Sequence, residues 1–330
     1  METAGIALNA TDVVEDLISS YDSSILKLLL QDKTSKKNII WATAAYQSEG
    51  DGYEENDEIL PDLITGSHTY LIQPRSAKAK EIQEERTREK AEVFTPSWVC
   101  NQQNNLLDTQ WFGHENVFNV EGDKCWTATK EKILFPSQKK TWKKYVDARR
   151  LEVTCGEAPY LVSRYDTVSG NMIPLNERIG LFDRKMRIVS ENAENQEEWI
   201  EWSIRAVESV YGYEYQGDNL LLARENLLLS YIDYFMAYMG DEPSHKLLKK
   251  IANIIAWNIW QMDGLRFVIP LTCHDEEVPQ GNLFGNPDIE PCPGCKSGNP
   301  HRHNGTYCKI QDWRSKLSVQ FIDLMKGEKS

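Results

Sequence analysis

The sequence has no uninterrupted apolar run of about 18 residues, the length a helix needs to cross a bilayer, and no basic segment leading into an apolar stretch at its start. Neither a membrane span nor a secretory signal is expected, and the cytoplasm is the expected location. Positive charge is also scarce: 37 Lys and Arg stand against 50 Asp and Glu, a net charge of −13. Non-specific affinity for nucleic acid comes mostly from neutralising phosphates with Lys and Arg, so any DNA contact must be local or contributed by a partner. Cysteines number seven. An odd count in a chain with cytoplasmic features argues against a disulfide framework.

The chain does have the means to build a core. Hydrophobic residues make up 41% of it, ten tryptophans among them, and 330 residues suffice for one large or two smaller domains. Residues 11–30 carry helical periodicity through Val13, Val14, Leu17, Ile18, Ile25, Leu28 and Leu29, with a break expected near Tyr21 to Ser24. Asn38 to Thr43 reads as a buried strand, and Ser76 to Ala91 as a charged surface helix with Glu84 and Arg88 four apart. Trp98, Trp111, Trp126 and Trp142 are expected in the core rather than as base-stacking platforms. The best basic patch, Lys139 to Arg150, interleaves Trp142 and Tyr145 and is read as a solvated amphipathic segment packing those aromatics.

Arg150 to Asp166, R-L-E-V-T-C-G-E-A-P-Y-L-V-S-R-Y-D, reads as strand, tight turn and helix. Gly156 and Ala158 let a ligand approach the turn, and the free N–H groups of the new helix face it. Three further stretches follow a fixed order around it: E-V-F-T-P-S-W-V (Glu92 to Val99) upstream, then V-Y-G-Y-E (Val210 to Glu214) and N-I-W-Q-M-D-G-L (Asn258 to Leu265) downstream. Together they resemble the N6-adenine DNA methyltransferases, most closely the modification subunits of restriction-modification systems. The resemblance covers roughly residues 90 to 265.

The fold class this implies is α/β: a Rossmann-like S-adenosylmethionine-binding half-domain over residues 91–270. A helical or mixed accessory unit (1–90) precedes it and a small Cys/His-rich, zinc-knuckle-like element (271–330) follows. In the resembled family the aromatic and proline of this element, here Phe94 and Pro96, pack beside the methionine moiety, and Phe94 and Thr95 are the cofactor contacts the resemblance implies. Glu152 takes the place of the carboxylate that accepts the cofactor's ammonium group, with Cys155 and Gly156 at the turn. Glu214 stands where the ribose hydroxyls are gripped, and Asp263 where the adenine amine is bound. Glu157 is expected to add negative charge near the cationic sulfonium. Glu214 lies 58 residues beyond Gly156, against about 20 in dinucleotide folds, so an insertion with a helix near Asn176 to Ile188 is expected. Helices Gln196 to Val210, Asp218 to Met239 and His245 to Ala256 and the strand Trp257 to Met262 complete the unit.

Methyl transfer in that family depends on Asn-Pro-Pro-Tyr or Asp-Pro-Pro-Tyr, which is absent here. Its nearest counterparts, Asn286-Pro287-Asp288-Ile289 and Asn299-Pro300-His301-Arg302, read as turns. No catalytic residue is assigned, and Asn286 is the nearest candidate. The expectation is therefore a protein that reaches DNA through a partner subunit or is completed by a second polypeptide. The alternative is a non-catalytic interaction protein, a phage or mobile-element factor engaging a host modification system. The last 60 residues add Cys292-Pro-Gly-Cys295, His301, His303 and Cys308, a C-x2-C-x7-H-x4-C pattern through His303 that suits structural Zn²⁺. Cys273 and His274 are open as alternative members.

Overall fold

Three short parallel strands lie at the centre of the protein. The computed structural model describes residues 15–78, 95–137, 139–278 and 288–325. Helices α1 (Glu15–Leu30) and α2 (Ser97–Phe112) come first, then the hairpin β1–β2 (Asn119–Glu121 and Trp126–Ala128), α3 (Trp142–Asp147) and β3 (Arg150–Glu152). After them run α4 (Leu181–Asn192), α5 (Gln196–Glu208), β4 (Val210–Glu214), α6 (Gly217–Met239), α7 (His245–Asn258) and β5 (Ile259–Gln261). A terminal lobe holds β6 (Glu276–Val278), β7 (Asp288–Glu290), α8 (Pro293–Ser297), β8 (Lys309–Asp312), β9 (Leu317–Gln320) and α9 (Phe321–Leu324). None of the described helices is long and apolar enough to cross a membrane.

The sheet order is β3-β4-β5, with Arg150 level with Val210 and Gly212 with Ile259. Successive side chains point to opposite faces. Val210 and Ile259 face the larger core, which the helices cover; Tyr211, Tyr213, Trp260 and Met262 face a second cluster that Ile310 and Phe321 of the terminal lobe complete. Burial on both faces accounts for the largely apolar strands. Helix α6 is buried over most of its length, from Gly217 to Phe235, as expected of a helix apolar nearly all round.

One buried arginine ties the N-terminal helix to this assembly. Arg224 on α6 donates to the carbonyls of Leu29 and Gln31 at the end of α1, and to those of Ala256 and Ile259 at the end of α7. Helix C-termini leave carbonyls unmatched and carry partial negative charge, so one guanidinium satisfies both ends. Ile18, Ile25, Leu26 and Leu29 of α1 belong to the same core as Leu220 and Ile251. The expected break in α1 falls at Asp22 (φ −163°, ψ 110°), whose carboxylate accepts the Ser24 N–H at 2.9 Å and so starts the second half of the helix.

Local departures have tertiary causes. Asn38 to Thr43 makes only isolated bridges, because the backbone of Ile40 bonds the side-chain amide of Gln261 in both directions, at 2.9 and 2.8 Å. The helix expected from Asn176 starts at Leu181, after a 3-10 turn at Leu175–Glu177 and behind Gly180, where a Cβ would meet the Leu161 carbonyl at 2.3 Å. Helix α7 continues through Asn258, whose amide donates to the Val207 and Val210 carbonyls, so β5 is shorter than the expected strand. Of the expected helix Ser76 to Ala91, residues 79–91 lie outside the described residues, and Arg75–Ala77 form a 3-10 turn. The basic patch forms α3, with Tyr145 and Val146 buried and the Tyr145 hydroxyl donating to Asp108 at 2.7 Å.

Candidate functional site

Two constellations carry chemistry: a carboxylate cluster at the carboxyl end of the sheet, and a Cys/His cluster in the terminal lobe.

At the carboxyl end, the turn after β3 winds tightly. Thr154, Gly156 and Ala158 all have positive φ (49°, 52° and 63°), so the left-handed conformation recurs three times in five residues. Two buried strand-end carboxylates converge on this turn. Glu214 accepts the Gly156 N–H at 2.9 Å, and Glu152 accepts the N–H groups of Tyr160 at 3.3 Å and Leu161 at 3.1 Å. Burial raises both carboxyls. The Glu152 carboxyl reaches about 8, as burial outweighs the two N–H bonds and the nearby Glu214 adds to the rise. The helix expected directly after the turn does not form, the next α-helix being α4 at Leu181, and the N–H groups expected to face a ligand are partly taken by the protein's own acids.

Thr95 belongs to the same neighbourhood. Its carbonyl accepts the Thr167 hydroxyl at 3.1 Å, and the Ser97 N–H just beyond donates to Asp166 at 2.8 Å, which fixes the start of α2 beside the turn. Phe94 lies outside the described residues. Cys155 contributes only backbone to the turn's rim: its thiol packs over Gly212, where an added Cβ would meet Sγ at 3.2 Å, and burial pushes it well above the usual thiol range. Asp263, one strand further along, closes its own turn, with Oδ1 accepting the Leu265 and Arg266 N–H groups at 3.0 and 3.1 Å. Glu157 does not add free charge. It is buried, accepting the Arg75 N–H and the Tyr165 hydroxyl, each at 2.7 Å.

The N-terminal segment takes part in a way that composition did not reveal. Trp41 accepts the Gly217 N–H at 2.9 Å, and an added Cβ at Gly217 would meet the Ile40 carbonyl at 2.1 Å. Tyr46 donates to the buried Asp218 at 2.8 Å, and Lys78 stands 3.6 Å from the same carboxylate. Residues 40–46 therefore lie against the end of β4 and the start of α6. No periodic pattern marks such a contact between stretches that are 172 residues apart.

The metal cluster consists of Cys273, Cys292, Cys295 and His303, whose donor atoms lie within 4.8 Å of one another. The three sulfurs are 3.6, 3.7 and 3.7 Å from His303 Nδ1. A tetrahedral zinc with bonds of about 2.3 Å to sulfur and about 2.0 Å to nitrogen gives S···N edges of roughly 3.6 Å, so the donor set fits Zn²⁺. Two glycines permit the close approach: a Cβ on Gly294 would meet the His303 N at 2.5 Å, and one on Gly305 the Cys273 Sγ at 3.1 Å. Burial alone would raise the Cys292 thiol. N–H groups of Asn304, Cys295 and Gly294, with His303, outweigh it and draw the thiol down to about 6, while burial and the neighbouring thiols push Cys273 up to about 12.

Cys308 is not in this set, a correction to the sequence pattern. It is buried, and its Sγ donates to the Gln261 carbonyl at 3.3 Å. Cys273 fills the fourth corner, because Ile269 pairs with Thr306 and draws the residue 273 loop onto the knuckle. His301 and His274 are exposed: the His301 N–H closes a local turn on the Asn299 side chain, and the His274 N–H donates across the lobe to the Asn304 side chain. Asn286 lies outside the described residues; Asn299 and Pro300 belong to the metal lobe, where the Pro300 carbonyl accepts the Tyr307 hydroxyl at 2.7 Å.

Comparison of the chain with family models, curated proteins and solved structures finds no match. Fold and site define a mixed helix-and-sheet protein with a Cys3His cluster able to hold a metal ion compatible with zinc.

Proposed function

We propose that this chain binds S-adenosylmethionine at the carboxyl end of its parallel sheet, as the Rossmann-like cofactor half of a DNA adenine-N6 methyltransferase of the restriction-modification type. One observation carries the reading: Glu152 and Glu214, at the ends of adjacent parallel strands, meet on a single tight turn through Tyr160, Leu161 and Gly156. Ligands of open α/β sheets bind outside the carboxyl ends of the strands. Glu152 would receive the ammonium group, Glu214 the ribose hydroxyls and Asp263 the adenine amine, with the Thr95 segment beside them. When bound, the cofactor supplies the methyl group. The residues of this chain bind and orient it, and the Cys273–Cys292–Cys295–His303 cluster acts as a four-ligand structural site with no open position.

A second polypeptide would supply the base-binding residues and the DNA contacts. The alternative, a non-catalytic factor that engages a modification system, is favoured by one feature: the Asn299-Pro300 pair serves the metal lobe's own turn. Calorimetry with S-adenosylmethionine, followed by transfer of labelled methyl to DNA with and without a partner chain, separates the readings. Binding with partner-dependent transfer supports the first. Binding without transfer supports the alternative, and absence of binding removes the methyltransferase reading.

A further inference from the structure

The two edges of the parallel sheet differ. Along a paired strand, successive residues turn their N–H and carbonyl groups alternately toward one neighbour and away from it. In β5 the Met262 N–H goes to the Glu214 carbonyl at 2.9 Å, so Trp260 and Met262 address β4 while Ile259 and Gln261 turn outward. Both outward carbonyls are covered: Arg224 Nε donates to that of Ile259 at 2.8 Å, and Cys308 Sγ to that of Gln261 at 3.3 Å.

The β3 edge is open. Its Arg150 N–H goes to the Ser209 carbonyl at 2.9 Å, so Arg150 and Glu152 address β4 and Leu151 turns outward. Among the described residues nothing bonds the Leu151 N–H or carbonyl. Val153, the next outward residue, accepts only the hydroxyl of its neighbour Thr154, at 2.7 Å. Leu151 and Val153 are 44% and 58% exposed. Solvent-facing edges are normally blunted by charge, proline, a bulge or a covering segment, whereas these outward positions carry Leu and Val.

A groove continues this edge onto the second face of the sheet. Leu151 stands level with Tyr211. These two, with Trp260, Val319, Phe321 and Leu324, line a cavity of about 210 Å³, room for one large apolar side chain. Recognition by strand addition needs both features, since backbone pairs give affinity and pockets for alternate side chains give specificity.

Strand order gives the direction of the missing neighbour. In doubly wound sheets the first strand is central, with the second on one side and the fourth on the other, and the ligand lies outside their carboxyl ends. Here β3, β4 and β5 follow one another outward, so β3 has one of its two neighbours. We infer that a second polypeptide adds a strand parallel to β3 along this edge, its backbone pairing with Leu151 and one apolar side chain entering the groove. The direction of that strand rests on the cofactor reading of the sheet end, and the open edge does not.

The test uses the full zinc-loaded chain, isotope-labelled for amide exchange by NMR, and a short synthetic peptide of alternating Val and Thr with Lys at each end. In the chain alone, the Leu151 amide should exchange at least about a hundredfold faster than that of Tyr213. The peptide at about 1 mM should slow Leu151 by about tenfold or more. A spin label on the peptide's carboxyl end should broaden Gly156 rather than Val210. A peptide with Pro in place of its central residues lacks the donors and should have no effect. Leu151→Lys should abolish the response with the melting temperature unchanged, and Leu324→Asp on the groove rim gives the same readout if that variant does not fold. The inference is overturned if Leu151 exchanges slowly in the chain alone, whether as a monomer or as a dimer of copies. It is equally overturned if the peptide leaves Leu151 unchanged, if the Pro peptide acts as well, or if the label broadens Val210. None of these readouts involves S-adenosylmethionine, so failure of cofactor binding with Leu151 still protected by the peptide removes the methyltransferase reading alone.

Discussion

The Glu214 carboxylate accepts the backbone N–H of Gly156 at 2.9 Å, joining the end of β4 to the turn after β3. The bond fixes the spacing between two strand ends that are 58 residues apart in sequence. Glu214→Gln keeps an acceptor for Gly156 but loses the negative charge that would draw a ribose diol and the oxygen that takes the Gln216 N–H at 3.2 Å. Affinity for S-adenosylmethionine is expected to fall at least about tenfold by calorimetry, with the urea midpoint little changed. Unaltered affinity would remove Glu214 from the site.

The metal cluster makes a prediction about ligand identity. Cys273→Ser and Cys292→Ser should each lose the bound zinc equivalent measured by atomic emission after gel filtration, and Cys308→Ser should keep it, because the Cys308 thiol faces the Gln261 carbonyl. Gly294→Ala should behave like the ligand variants, since its methyl would collide with His303.

Removing the metal should also be felt at the sheet. The Asp263 N–H donates to the Val268 carbonyl at 2.8 Å, and Ile269 in turn donates to Thr306 in the metal lobe at 2.9 Å. Chelation should therefore speed hydrogen exchange over residues 262–269 and weaken S-adenosylmethionine binding. Unchanged exchange there would show that the lobe and the Asp263 turn are independent.

Stability should depend on pH through Glu152. Its carboxyl ordinarily titrates near 4.5 but near 8 in the fold, because burial disfavours its charge. Between those values the folded chain holds a proton that the unfolded chain has released, so the contribution of this carboxyl to stability is fully present below the lower value and is lost as pH rises toward 8. The loss is on the order of a few kcal/mol. Glu152→Gln, which cannot ionise, should flatten urea midpoints measured between pH 5 and 8 relative to the parent chain. An unchanged slope would contradict this assignment.

Arg224→Met should destabilise the protein by about 3 kcal/mol or more, because it strands carbonyls at the ends of α1 and α7 in the core. Chemical denaturation should show a lower midpoint. Proteolysis should release the N-terminal segment first, as α1 loses its tie to α6.

Much of the framework was legible because periodicity is local. Helices α5, α6 and α7, the strand ending in Glu214, and the break in α1 at Asp22 follow from apolar spacing and capping residues. The site was legible only in part. Glu152 and Glu214 stand at strand ends as their spacing suggested, yet the sequence could not say that their carboxylates would be buried and bonded to the turn itself. Glu157 looked like a free charge, because Arg75 approaches it from a distant stretch and Tyr165 reaches back to it only once the segment after β3 has wound into its turns.

By itself the sequence determined the helices, the acids at the strand ends and a metal-capable Cys-x2-Cys knuckle, all set by spacing within a few residues. The tertiary structure decided that Cys273 rather than Cys308 completes the metal set, that Ile40 bonds Gln261 instead of forming a strand, and that Arg224 joins two helix ends. Each of those outcomes depends on which buried donor lies nearest to which acceptor. Chain closure over separations from 30 to 221 residues sets that proximity, and no local pattern of sequence contains it.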